Sequence, residues 1–151
     1  MEKCEICSEN VKQEDIDCSA KYEVCMCTKC RRKLAEVHNQ SSKLLSNKQI
    51  LVYMALEHRG LKPEIEWNDS YKTVDIAILD AKVYIEINGE HHVTDAYQHI
   101  TDMKRSYYSI LDGYLTLNVF NQVIPGYLNE IANTIKNICT ARVNGGTKLP
   151  D

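Results

Sequence analysis

Between residues 71 and 92 the chain reads YKTVDIAILDAKVYIEINGEHH, with β-branched and aromatic residues alternating with polar ones on either side of Asp80-Ala81. This is the pattern of two antiparallel strands joined by a tight turn. If the loop is Asp80-Ala81, Leu79 faces Lys82 and the register carries Asp75 directly opposite Glu86. Val74, Ile76 and Ile78 then share an apolar face with Val83, Ile85 and Ile87. Asp75, Ala77, Tyr84, Glu86 and Asn88 share the other. Directly opposed carboxylates destabilise a sheet, and the usual compensation is a hard divalent cation held by oxygen ligands.

Helical spacing governs the flanks. Ser46-Asn47-Lys48-Gln49 has the form of a capping box. Ile50, Tyr53, Met54 and Leu56 follow as an apolar stripe, and Gly60 marks the stop. Pro63 blocks further helix, residues 64–67 alternate as a short strand, and Asn68-Asp69-Ser70 is a turn. After Asn88-Gly89 a helix is predicted from Thr94 or Asp95 to Leu111, packed through Ala96, Ile100, Met103, Tyr107, Ile110 and Leu111. Its other face carries Asp95, His99, Asp102 and Ser106, with Lys104 and Arg105 adjacent. Residues 114–120 form another alternating strand, and Pro125-Gly126 opens a last helix packed through Leu128, Ile131, Ile135 and Ile138.

The order α-β-β-β-α-β-α predicts an α/β domain over 46–143, a small mixed β-sheet flanked by helices. It is preceded by a metal-binding ribbon at 1–33 and a connector at 34–45 that can begin as helix, and followed by a flexible tail at 144–151. At 151 residues, with 44% hydrophobic and 26% charged, the chain suffices for one modest core and a small appendage. No apolar run approaches the roughly 20 residues that span a bilayer. The start, MEKCEICSEN, lacks the order of a secretory signal. The expectation is therefore a cytoplasmic protein, or a nuclear one in a eukaryote, neither secreted nor membrane-bound.

In such a reducing compartment seven cysteines read as metal ligands or buried apolar residues rather than disulfides. Cys4-x2-Cys7 and Cys27-x2-Cys30 are separated by residues 8–26, the spacing of a four-cysteine zinc ribbon. Four thiolates in tetrahedral array suit Zn²⁺, and a closed site of this kind is structural. The bound ion would supply much of the segment's stability. Cys18 and Cys25 are alternative ligands, and the six could bind more than one ion.

The net charge of −3 argues at first against a nucleic-acid partner, but its distribution is uneven. Lys29, Arg31, Arg32 and Lys33 form a basic cluster at the rim of the second knuckle. They suit phosphate contacts or, equally, a solvated helix start. The stretch 46–94 is acidic and would attract metal ions.

The segment from 46 to about 138 resembles the PD-(D/E)XK nucleases, and more closely their very-short-patch-repair branch. The resemblance rests on Asp75; on Glu86-Ile87-Asn88-Gly89-Glu90-His91-His92 against E-x-D-G-x-x-H; on Asp102-x-x-Arg105; on Leu111-x-Gly113; and on Tyr114-Leu-Thr-Leu before Asn121. It implies a restriction-endonuclease-like fold and Mg²⁺- or Mn²⁺-dependent endonucleolytic hydrolysis of DNA, leaving 5′-phosphates. Asp75, Glu86 and the carbonyl of Ile87 would hold the ion. His92 or His91 would act as general acid or base. Arg105, with Lys104, would neutralise phosphate or organise the acids, and Asp102 would orient Arg105 or a histidine.

This chain departs from the family at Asn88, where a lysine is usual, and at Gln49, where many relatives carry a helix glutamate. Gln49 is explained equally by the capping box. Tyr84 and Tyr107-Tyr108 read as packing, although a tyrosine near the site could stack on a base. Competing readings are a catalytically inactive nucleic-acid-binding module and a protein-interaction domain docked through the ribbon. The oligomeric state is open, a homodimer included.

Overall fold

In the computed structural model, which describes residues 2–89, 96–146 and 149, the alternating segments build one four-stranded sheet. Its strands are β1 (Glu64–Asn68), β2 (Thr73–Ile78), β3 (Val83–Asn88) and β4 (Leu115–Phe120), in the order β1-β2-β3-β4. The first three pair antiparallel, and β3 pairs parallel to β4. A parallel pair needs a crossover, which runs through α4 (Ala96–Leu111). The other helices are α1 (Gln13–Ser19), α2 (Thr28–Gln40), α3 (Asn47–His58) and α5 (Ile124–Asn144). The chain is thus α/β with a small mixed sheet, as the pattern predicts. No described helix is long and apolar enough to cross a membrane.

The β2–β3 register pairs Ile76 with Ile85, Ala77 with Tyr84 and Ile78 with Val83. The paired residues end at Ile76 and Ile85; Asp75 and Glu86 are the next residue on each strand, near enough for the charge of Asp75 to act on Glu86. The connection differs from the expected two-residue loop. Leu79–Ala81 is a 3₁₀ turn closed by Lys82 at φ 54°, whose N–H donates to the Leu79 carbonyl. Leu79 and Lys82 thus lie in the loop, which takes the same number of residues from each strand and leaves the register intact.

Strand parity also fails at one place. Ile76, Ile78, Val83 and Ile85 are buried in the main core as expected, with Ile87 packed against it. Val74, however, packs on the opposite face with Ala77 and Tyr84, beside Trp67 and Tyr114. The cause lies across the ladder, where Glu66 takes the left-handed conformation at φ 52°. Pairing is kept on either side, Ile65 with Ile76 and Trp67 with Val74, but the ribbon rotates between them. Trp67 and Val74 are turned together to the other face.

The main core centres on α3. Gln49, Ile50, Leu51, Val52, Met54, Ala55 and Leu56 are all buried, so the helix is covered on nearly every side rather than along one stripe. A helix apolar all round is an interior element. Its core is shared with the sheet, with Leu128, Ala132 and Ile135 of α5, and with Ile6, Val11, Val24, Met26 and Leu34 of the N-terminal segment. Salt bridges from Lys48 to Glu23 (2.9 Å) and from Lys33 to Glu57 (2.8 Å) flank that contact. The apolar core therefore runs across the expected boundary at residues 33 and 34. Most of the expected connector is the second half of α2.

At its C-terminus α3 ends in a Schellman motif, with Gly60 N–H donating to Glu57 and Leu61 N–H to Leu56. Arg59 there reaches Asn133 at 2.7 Å and Asn129 at 2.9 Å on α5. At the head of α5, Pro125 (φ −62°, ψ 128°) and Gly126 (φ 85°, ψ −17°) form a type II turn. That turn requires a positive φ at its second central residue, and regular helix follows it.

The crossover helix reverses the expectation for its faces. Ile100, Met103, Tyr107, Ile110 and Leu111 are between 49% and 64% exposed, and Ser109 is its one buried residue among those described. The sheet face beneath α4 carries Asp75 and Glu86, so the helix turns polar groups toward it.

In the N-terminal segment the buried Asp15 accepts from Thr28 Oγ1 (2.6 Å), the Arg31 guanidinium (2.8 Å) and Lys12 N–H (3.1 Å). Those donors hold its carboxyl at about 2, below the ordinary 3.8. A depressed carboxyl pKa stabilises the fold above the unfolded value and loses that contribution as pH falls through the folded one. Asp15→Asn is therefore expected to lower the midpoint of thermal unfolding at pH 7, with the gap to the parent closing between pH 4 and pH 2. Calorimetry across that range checks it.

Candidate active site and metal cluster

The two cysteine knuckles meet at the head of α2. Cys27 is its N-cap and Cys30 lies in its first turn. Ser8 N–H donates to the Cys4 carbonyl and Cys4 N–H to Glu9, closing the first knuckle. Glu5 N–H donates to the Cys25 carbonyl at 2.9 Å and ties the two segments together. As a result the sulfurs of Cys4, Cys7, Cys27 and Cys30 lie within 4.8 Å of one another, positioned to hold a metal ion such as Zn²⁺.

The donor set fits such an ion. The Cys30 thiol pulls Cys4 down to about 4, whereas burial pushes Cys7 up to about 11. Thiols this close do not ionise together without a cation among them. Cys18 is exposed and Cys25 half-buried, and neither joins the cluster. The alternative ligand sets are thereby corrected: the knuckle turns leave both side chains outside.

The basic cluster is not a free patch. Arg31 is paired with Asp15 and Lys33 with Glu57. Lys29 and Arg32 are exposed and form no ion pair among the described residues.

On the α4 side of the sheet, a cavity of about 210 Å³ is lined by Asp75, Glu86, Ile87, Asn88, Asp102 and Arg105. The structure thus brings together every candidate catalytic residue that it describes. His91 and His92 lie outside the described residues, and Lys104 is exposed and outside the lining. Asp75 Oδ2 accepts from Ile87 N–H at 2.7 Å, which fixes that carboxylate across the two strands. Burial first, and the charge of Asp75 second, push Glu86 up to about 7, against a lowering by Lys72. Asp102 accepts from Gln98 at 2.9 Å and stands 3.8 Å from the Arg105 guanidinium.

Three details could not be read from the one-dimensional pattern. Gln49 N–H donates to Ser46 Oγ at 3.1 Å, which is half a capping box. Its side-chain amide goes elsewhere, donating to Glu66 Oε1 at 2.7 Å and to the Asp75 carbonyl at 3.0 Å. Asn88 donates to Asn118 Oδ1 at 2.9 Å. Most consequential is Lys72. Its side chain is only 6% exposed, with its ammonium 3.9 Å from Glu86 and 5.7 Å from the centre of the Tyr84 ring. It supplies the cavity with the positive charge that Asn88 cannot. A lysine three residues before Asp75 is the only sequence signal of it, and strand parity would have placed it on the other face.

No family model, characterised protein or solved structure matches this chain.

The donor chemistry of the cavity fits a hard cation. Asp75 and Glu86 offer carboxylate oxygens, and Thr116 Oγ1, which lines the same cavity, is buried and makes no hydrogen bond among the described residues. A bound water or phosphate oxygen would satisfy it. A carboxyl raised to about 7 costs the metal-free fold stability as pH climbs from 4.5 through 7. Glu86→Gln should thus leave stability unchanged near pH 4 and raise it by on the order of 2 kcal/mol at pH 8 without divalent ions. Denaturant titrations at the two pH values read this. Titration calorimetry below pH 7 should record proton release when Mg²⁺ binds the parent. At the cysteine cluster, emission spectroscopy should find one Zn²⁺ per chain, lost in Cys30→Ser, with loss of amide protection in α1 and α2.

Proposed function

We propose that the chain is a Mg²⁺- or Mn²⁺-dependent DNA endonuclease, with Zn²⁺ as a structural ion in the four-cysteine cluster. The observation that carries this reading is one cavity holding two opposed carboxylates, Asp75 and Glu86, together with two cations, Lys72 and Arg105. Phosphodiester hydrolysis needs both halves of that set. The divalent ion, held by Asp75, Glu86 and the Ile87 carbonyl, would polarise the scissile phosphate and lower the pKa of the attacking water.

The remaining roles belong to the chain. Lys72 and Arg105 neutralise the phosphate as charge develops on it, and Asp102 keeps Arg105 in place. Asn88 positions water, and His91 or His92 gives a proton to the leaving oxygen. Lys29 and Arg32 on α2 offer DNA a contact away from the cavity.

One observation favours a second reading. Asn88 is neutral and turned toward Asn118, which suits a module that binds DNA without cutting it. Incubation of the protein with plasmid and with single-stranded, mismatched and branched DNA, in Mg²⁺ or Mn²⁺, separates the two. We expect cleavage that falls to background in Glu86→Gln and by roughly 10²-fold or more in Lys72→Met. Binding with a steep salt dependence but no cut in any substrate would establish the second reading instead.

A further inference from the structure

Beside the carboxylate cavity lies a second one of about 310 Å³, and Lys72 and Arg105 line both. Its walls are largely tyrosine, and Asp69 and Asp112 line it as well, so the positive charge is confined to Lys72 and Arg105. Tyr84 and Tyr114 are stacked, with ring centres 4.2 Å apart and planes at 17°. Tyr114 arrives there because a Schellman turn at Gly113 (φ 83°) ends α4 and drops the next residue onto the sheet. Tyr71 and Tyr108 also line the cavity, 91% and 63% exposed. Rings that open to solvent contribute little to a core.

An occupant of this pocket is described by its surroundings. The cations at the junction select an anionic group, and the tyrosine faces select a planar one. Together these are a nucleotide, with phosphate at the junction and base among the rings. The volume lies at the small end of ligand pockets, about 300 Å³ and upward, which suits one base and not a pair. A base inside a duplex is stacked between its neighbours and cannot enter.

We propose that the tyrosine-lined pocket takes a single unpaired or extruded base of the DNA strand whose phosphate lies at Lys72 and Arg105. The preferred substrate then carries an unpaired nucleotide next to the scissile phosphate. The cost of unstacking is least for a base already unpaired, so selectivity comes from the DNA defect rather than from a sequence. The proposal rests on the nuclease reading only for the place of the phosphate.

The test reads binding, not cleavage. The full chain, in Ca²⁺, is titrated with a duplex carrying one bulged 2-aminopurine and with the same duplex fully paired. Quenching of the bulged base and an affinity on the order of tenfold tighter than for the paired duplex are expected. Tyr108→Ala should remove most of that preference while leaving paired DNA unaffected, and Tyr108→Phe should restore it. Because Tyr108 is an exposed residue, loss of folding does not confound the result. Equal affinity for the two duplexes, or equal weakening of both by Tyr108→Ala, overturns the proposal. Selective binding of the bulge with no cleavage in Mg²⁺ overturns only the nuclease reading. Cleavage of paired DNA without preference overturns only this one.

Discussion

Two carboxylates held opposite each other on neighbouring strands repel, and most of the structure around the sheet works to keep them there. Asp75 is pinned on two sides. Its carboxylate accepts from the backbone of Ile87, and its own carbonyl accepts from Gln49. Gln49 also holds Glu66, the residue whose left-handed backbone rotates the β1–β2 ribbon. Glu86 is kept by burial and by Lys72. Each of these contacts restrains geometry rather than relieving the repulsion fully, and the Glu86 carboxyl is raised by its burial first and by the charge of Asp75 second. Under the proposed function, a divalent cation held by the two carboxylates would relieve that repulsion.

The frame that bears this load is α3. Because it is covered on nearly all sides, its N-terminal turn is fixed, and Gln49 inherits that rigidity. The N-terminal metal module is part of the covering, since Met26 and Leu34 belong to the same core as Ile50 and Leu51. The cysteine cluster and the position of Asp75 are thereby connected through one helix, without the module having to touch the cavity. The opposite side of the sheet is lightly packed. Over it α4 lies with polar groups inward and apolar groups outward, leaving room for the two cavities between helix and sheet.

The α/β order, the mixed sheet's strands, the hairpin register and the four-cysteine cluster are all legible along the chain, because each rests on local pattern. Alternation marks strands, a capping serine and a terminal glycine mark α3, and paired C-x2-C knuckles bring four sulfurs together by their own turns. Symmetric placement of residues around the turn kept the register true even though the loop between Ile78 and Val83 was not the expected one. Asp75 and Glu86 stand out by strand pattern and Asp102 and Arg105 by the resemblance, and all four line one cavity.

Tertiary structure decided what depends on which surfaces meet. Which face of α4 turns inward is set by the charge of the sheet below it, and its own periodicity gives the opposite answer. Likewise, parity along β2 cannot foresee a rotation caused by Glu66 on another strand, so the place of Val74 and the arrival of Lys72 beside Glu86 were invisible. The free energy that fixes these choices, burial against desolvation of charge, belongs to pairs of elements distant in the chain.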